Sequence, residues 1–199
     1  MADATLNPSI NAYIRNTTPT GNVGATDIYA GELNSVSNDI LRGLVKFDLA
    51  TIPAGSTITA ATLRLYDTAS DFSSNNRTFR AYRLLRVWVE NQVTWNIYST
   101  GNNWGTAGAG STTTDREATD VGSVSTPATE VAQYYDITIT ASKVQEWLDG
   151  ILANNGFLMQ MDTETDDLHR YVGRDGAAGQ KPELVVTYTP PSSGFFALL

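Results

Sequence analysis

The chain has 199 residues, with 21 Asp and Glu against 13 Lys and Arg, a single His, no Cys and a net charge of −8. This length is enough for one sizeable core, while the negative balance argues against nucleic acid and anionic membrane surfaces as partners. The lack of cysteine excludes disulfides, thiol catalysis and cysteine-based zinc sites.

In chain order, Ala2–Leu6 alternates small or apolar residues with polar ones, and Pro8 separates it from the first strand of the domain. An extended conformation would put Ala2, Ala4 and Leu6 on one face and Asp3 and Thr5 on the other. Residues 1–8 therefore read as a candidate donor strand, able to add to the edge or groove of a sheet. Strands are predicted at 9–15, 26–33, 40–49, 57–68, 77–87, 118–125, 134–140, 155–162, 168–173 and 183–189. The clearest pattern lies between Gly43 and Tyr66. Val45, Phe47 and Leu49 alternate with Lys46 and Asp48, Leu63 and Leu65 alternate with Thr62 and Arg64, and Pro53-Ala54-Gly55 supplies the turn between.

The segment Thr100–Glu117, rich in Gly, Thr and Ser, is the longest irregular stretch. One helix is predicted after Ser142 as its cap, with Val144, Trp147, Leu148 and Ile151 at helical spacing and Asn154-Asn155-Gly156 as its stop. No internal repeat is evident, so residues 9–190 are read as one all-β domain, a β-sandwich with one short helix. Residues 191–199 form an apolar tail, in which Phe195, Phe196 and Leu198 should not be left in water. Together with Ala2, Ala4 and Leu6 they are the expected assembly residues.

Residues suited to catalysis are sparse. The sequence holds no G-x-S-x-G, P-loop or H-E-x-x-H pattern, and Gly105-Thr-Ala-Gly-Ala-Gly110 reads as flexible loop. His169 falls in a predicted strand and reads as an exposed polar residue. No cofactor is expected. Calcium stays open through Asp162, Glu164 and Asp166, whose alternation could offer oxygens to a hard cation; the other reading is a solvated hairpin loop. Among the tryptophans, Trp95 and Trp147 read as core and Trp88 as at least half-buried. Trp104, with Tyr98, Asn102 and Asn103 around it, is either a platform for a sugar ring or a lid over the loop. Asn16-Thr-Thr18 and Asn76-Arg-Thr78 are glycosylation acceptor triplets, making Asn16 and Asn76 candidate glycan sites.

Several linked motifs carry a family resemblance. Gly43–Tyr66 is similar to the opening half of the DNRLRE domain, the disaggregatase-related repeat. Trp88-Val-Glu-Asn-Gln-Val-Thr-Trp95-Asn96 resembles that family's W-x-E-x-x-V-T-W-N signature. Tyr135-Asp-Ile-Thr138 with Val144, Trp147 and Gly150, then Asn155-Gly-Phe-Leu158 and Lys181-Pro-Glu-Leu-Val-Val-Thr-Tyr188, continue the match over about residues 9–190. The resemblance implies a jelly-roll-like sandwich, usually a non-catalytic surface module. Some relatives bind polysaccharide and others occur in phage and cell-surface structural proteins. Family members often begin with Asp-x-Tyr-Ile where Asn11 stands here, which puts in doubt any metal that the Asp would serve. Glu90 and Asp136, at motif positions, are expected to tie loops to backbone N–H groups rather than to bind metal.

The sequence thus supports a non-enzymatic structural subunit of an extracellular fibre, cell surface or virion, joining further copies of itself head to tail through the N-terminal strand. A carbohydrate-binding module using Trp104 and Tyr98 is the alternative. No apolar run is long enough to span a bilayer, and no signal peptide is visible in the first thirty residues.

Overall fold

The computed structural model describes residues 1–24, 27–33, 38–69, 75–129, 131–165 and 167–192. Its elements are β1 (Ala2–Leu6), β2 (Pro8–Arg15), β3 (Val23–Gly24), β4 (Ile28–Glu32), β5 (Ile40–Phe47), β6 (Thr57–Asp67) and β7 (Arg77–Arg83), then β8 (Ile97–Ser99), β9 (Asn102–Asn103), β10 (Gly122–Thr126) and β11 (Gln133–Ile139). Helix α1 (Ala141–Leu148) precedes β12 (Phe157–Met161), β13 (Leu168–Tyr171) and β14 (Glu183–Thr189).

Every ladder is antiparallel. One layer runs β1–β14–β6–β11, and the other runs β3–β2–β5–β12–β7–β10. Strands β4 and β13 join them at a corner, because β4 pairs with β5 while β13 pairs with β4 and, at Tyr171, with β6. The two layers face one core. Leu6, Leu63, Leu65, Ile137, Leu184 and Val186 from the first meet Val45, Phe47, Phe79, Phe157 and Met159 from the second. The fold is an all-β sandwich with one short helix, and the period-two pattern of β5, β6 and β14 produces it as the sequence indicates.

In the second layer, β5 and β12 bury residues on both faces. In β12, Phe157 and Met159 face the main core, while Leu158 joins a second cluster with Ala12, Ile14, Leu44, Leu84, Trp88, Val93 and Trp104. Adjacent residues Leu44 and Val45 of β5 are likewise both fully buried, on opposite faces. The long segment between β7 and β10 lies over the outer face of this layer and supplies the second cluster's tryptophans.

Helix α1 packs Val144 and Trp147 into the main core. Its details differ from the sequence reading. Thr140, not Ser142, is the N-cap residue, and it makes no side-chain capping bond; its hydroxyl donates to Val121 O at 3.1 Å instead. The helix ends at Gly150 (φ 69°) rather than at Asn154–Gly156, since Gly150 N–H reaches Trp147 O and Ile151 N–H reaches Glu146 O. This is a left-handed glycine cap. It turns Ile151 outward, 74% exposed, so the predicted apolar stripe stops at Leu148. Gln145 stitches the helix to the β5–β6 connection, accepting from Ile58 N–H at 2.7 Å and donating to Ser56 O at 3.1 Å.

A buried arginine fixes the helix from the other side. Arg83 shares the inward face of β7 with Phe79 and Ala81 and is 1% exposed. Its guanidinium bonds Glu117 (3.1 and 2.5 Å), Glu146 (2.6 Å) and Lys143 O (2.7 Å). Burial pushes the Glu117 carboxyl up, but Arg83 and Lys143 outweigh that effect and hold it below the usual carboxylate range. Asp39, fully buried, is paired with Arg15 through two guanidinium nitrogens, Nε at 2.8 Å and Nη2, and accepts from Thr17 at 2.7 Å. The Arg15 bond is the main cause of its lowered pKa.

These pairs can be tested by substitution and by pH. Arg83→Met leaves Glu146 without its cation and Glu117 with Lys143 alone, and should lower the unfolding free energy by about 3 kcal/mol; a urea midpoint displaced by less than the equivalent of ~1 kcal/mol would show that the cluster is dispensable. For Asp39 and Glu117 the folded pKa lies below the unfolded value of about 4. Their contribution is therefore present above that value and is lost as pH falls through the depressed folded one. Asp39→Asn should flatten the acid limb of a stability-against-pH curve; an unchanged limb would remove Asp39 from the account.

Candidate functional site

Strand β1 fills the edge of the first layer. It pairs with β14 from Ala2↔Tyr188 to Leu6↔Leu184, and Thr187 donates to Asp3 at 2.7 Å. The predicted alternation is present: Leu6 is buried in the core and Ala4 packs against it, whereas Asp3 and Thr5 are exposed. The strand is therefore seated on its own chain. Burying Leu6 contributes roughly 2 kcal/mol. On its other side β1 pairs with no strand among the described residues. A single exposed residue, Asn7, connects it to β2, which belongs to the opposite layer and pairs with β5. The remaining assembly residues, Phe195, Phe196 and Leu198, lie outside the described residues.

The aromatic loop is built differently from a sugar platform. Trp104 is 5% exposed and its indole N–H donates to Thr94 O at 3.0 Å. Trp88 is 4% exposed and donates to Asn155 O at 2.8 Å. Tyr98 is half-buried, 5.5 Å from Trp104, with the Arg86 guanidinium 5.5 Å over its ring. Trp104 consequently presents no open face to a ligand, correcting the platform reading: the apolar outer face of β5 and β12 claims the ring. Trp95 is only half-buried. It lies beneath Gly108 (φ 76°), where a methyl would come within 2.6 Å of the ring, and beside the Arg42 guanidinium at 5.1 Å.

One carboxylate organises this loop. Asp115, fully buried, accepts from the backbone N–H groups of Gly105 (2.7 Å), Thr106 (3.0 Å) and Ser111 (3.0 Å), and from the Thr114 hydroxyl at 3.2 Å. Sequence reasoning missed it, because nothing local marks an Asp in a Thr-rich loop as buried. Glu90 behaves as its motif position suggests. It accepts from Asn11 N–H at 3.0 Å and pairs with Arg174 at 3.0 Å, while Asn11 Oδ1 accepts from Arg174 N–H at 2.9 Å. Asp136 differs: it is exposed and forms an ion pair with Arg64 at 3.0 Å, with no loop attached.

His169 is a second correction. It is fully buried, not exposed, with Nδ1 2.8 Å from Asp67 and Nε2 3.2 Å from the Thr126 hydroxyl, and its ring packs on Phe79 and Tyr171. The alternation of β13 places it with Tyr171 and opposite the half-exposed Arg170, a signal that the single-residue reading overlooked. All three members of this Asp–His–Thr chain are buried.

Of the calcium candidates, Glu164 gives both oxygens to Arg42 (2.8 and 2.7 Å), Asp162 is exposed and accepts from Thr78 N–H at 3.3 Å, and Asp166 lies outside the described residues. Among the described residues, no three His, Cys, Asp or Glu side chains gather to hold a metal ion. The Asn16 amide is engaged on both sides, donating to Asn38 O at 2.7 Å and accepting from Ile40 N–H at 2.8 Å. Asn76 is exposed and accepts from Ala128 N–H at 2.8 Å.

Compared with known protein families, residues 14–186 match the disaggregatase related repeat domain. The chain belongs to that family. The matched region takes in β5, the W-x-E-x-x-V-T-W-N segment, α1 and most of β14, so the buried loop cluster and the two-layer core are parts of one repeat domain. Strand β1 falls before the matched region. No curated protein matches the chain.

If Trp104 is a core residue of this repeat domain, Trp104→Ala should destabilise it by about 3–5 kcal/mol, with loss of near-UV circular dichroism from the loop aromatics. A variant of unchanged stability would restore the surface-platform reading.

Proposed function

We propose that this repeat domain is a non-catalytic structural subunit of an extracellular fibre, cell-surface layer or virion appendage, joined head to tail by exchange of β1. The observation that carries the reading is the seating of β1. It is a self-contained edge strand, held laterally only by β14 among the described strands and attached through one residue to the opposite layer. Short connections of this kind favour exchange of an element between copies.

The slot beside β14 is the same in every copy, so a neighbour's Ala2–Leu6 would regain the five register pairs and the burial of Leu6 that the chain makes with itself. Exchange then costs mainly the association entropy. Giving a strand to one neighbour while receiving one from another is a heterologous contact; it propagates as a filament unless its rotation closes a ring. The low charge content, abundant Thr and Asn, and absence of Cys suit a solvent-facing module outside the cell. Glycans on Asn16 and Asn76, and calcium at Asp162 and Glu164, are not needed for this role. Polysaccharide binding is the less favoured reading, since its chief residue, Trp104, is enclosed.

The expected behaviour is concentration-dependent growth of long particles, seen by light scattering and negative-stain microscopy. Deleting residues 1–7 should give a folded monomer, and adding a peptide of those residues in excess should cap the intact protein as short species. Filaments that persist after the deletion, or an intact protein that stays monomeric up to millimolar concentration, would overturn the reading.

A further inference from the structure

Strand β1 lies on β14 along one side, and along the other it meets no strand among the described residues. Unpaired strand edges invite pairing with another chain, and folded proteins guard them with bulges, prolines, lysines or covering groups. At other margins of the two layers such guards are present. On β2, Glu90 accepts from Asn11 N–H at 3.0 Å and Arg174 donates to Ser9 O at 2.8 Å. Strand β10 is pressed against β11, so closely that a methyl on Gly122 would lie 2.3 Å from Thr138 O. β1 has neither kind of cover among the described strands. It holds no Pro, Lys or Arg, its ladder with β14 runs through five pairs without a register shift, and none of Ala2, Asp3, Ala4 and Thr5 is buried.

The strand is also complementary to itself. Residues directly opposite in an antiparallel pair share a face, so a second β1 must keep Ala2, Ala4 and Leu6 together on the inner face. That leaves registers centred on Asp3, Ala4 or Thr5. Centring on Asp3 sets two carboxylates opposite each other, which is destabilising. Centring on Thr5 brings Ala2 opposite Pro8, which has already joined β5 in the second layer. Centring on Ala4 pairs the whole of Ala2–Leu6. It lays each Leu6 beside the part-exposed Ala2 of the other copy, and each Asp3 opposite the Thr5 hydroxyl of the other copy. Thr187 donates to Oδ1 of Asp3, so that hydroxyl has Oδ2 to bond.

We infer that two copies of this protein pair through their β1 edges, antiparallel and centred on Ala4, so that the sheet β1–β14–β6–β11 of one copy continues into the same strands of the other. The contact is isologous, one patch serving both copies. It uses the side of β1 away from β14, so it does not rest on strand exchange and is available whether β1 lies on its own chain or on a neighbour. An edge of five residues is small for a protein–protein contact. The pairing is therefore weak between single domains and gains strength where many copies lie in line, joining them side by side.

The test uses a chain in which Ala2→Cys and Tyr188→Cys, opposite each other in the ladder, tie β1 to its own β14 by a disulfide. Exchange is then blocked while the outer edge stays free. Sedimentation equilibrium should show a reversible dimer at submillimolar concentration. Thr5→Lys sets a cation opposite Asp3 and should tighten that dimer roughly tenfold, while Thr5→Asp sets a like charge there and should weaken it by a similar factor. Adding Asp3→Lys to Thr5→Asp should restore it. The same series in the untied chain gives an independent reading, because β1 makes the same contacts with β14 in cis and in exchange, and only edge pairing responds to the charge at position 5. A tied chain that stays monomeric up to millimolar concentration, or a dimer indifferent to that charge, would overturn the edge pairing and leave strand exchange untouched. An untied chain that forms no filaments while the tied chain still dimerises would sink the exchange and support this contact.

Discussion

The double burial of β5 and β12 is the constraint on which the rest of this structure depends. A sandwich strand ordinarily shows one face to the core and the other to water. Here Leu44 beside Val45, and Leu158 between Phe157 and Met159, put fully buried residues on both faces of each strand. The outer face must be covered, and the segment between β7 and β10 covers it with Trp88, Val93 and Trp104. The loop is thus a third layer. Its tryptophans are enclosed because removing them from water is what makes the second face stable.

A layer whose only ladder is the short β8–β9 pair among the described residues has many backbone groups to satisfy. The repeat domain meets this requirement with carboxylates and indoles. Asp115 gathers three backbone N–H groups from the loop, Glu90 ties the loop to β2 through Asn11, and the two indole N–H groups end on carbonyls. Buried charge recurs where irregular chain meets the sandwich. Arg83 joins the loop's Glu117 to α1, Arg15 and Asp39 secure the turn after β2, and Asp167 holds Asn75 and Arg77. These pairs gain their value from each other, since either partner alone would be a desolvated charge. For Asp39 and Glu117, whose pKa values are lowered in the fold, that dependence ties stability to a pH at which both remain ionised.

The first and last of the described strands meet in the first layer. β1 lies on β14, β14 lies on β6, and the chain leaves β14 beside the turn that begins β6. The edge strand pairs only with β14 among the described strands and is linked to the other layer by one residue. The region matched to the family begins after β1, within β2. Strand β1 thus lies outside the matched region, while its Leu6 packs into the main core.

The strand pattern was legible in the residues. Period-two alternation identified β1, β2, β5, β6, β11 and β14 within a few residues, and the linked motifs from Gly43 to Tyr188 pointed to the family. The inward set Ala2, Ala4 and Leu6 was legible for the same reason, since backbone pleating alone decides which side chains share a face. What the local sequence could not decide was which apolar residues meet a second surface. His169 read as exposed, and Trp104 as either a platform or a lid, because their neighbours are polar; long-range packing buries both. The place of β1 on its own β14, at the far end of the chain, and the hold of Asp115 on its loop were likewise settled only by the tertiary structure. Both depend on which groups are left unsatisfied once the layers have closed, and that is a property of the assembled fold rather than of any segment.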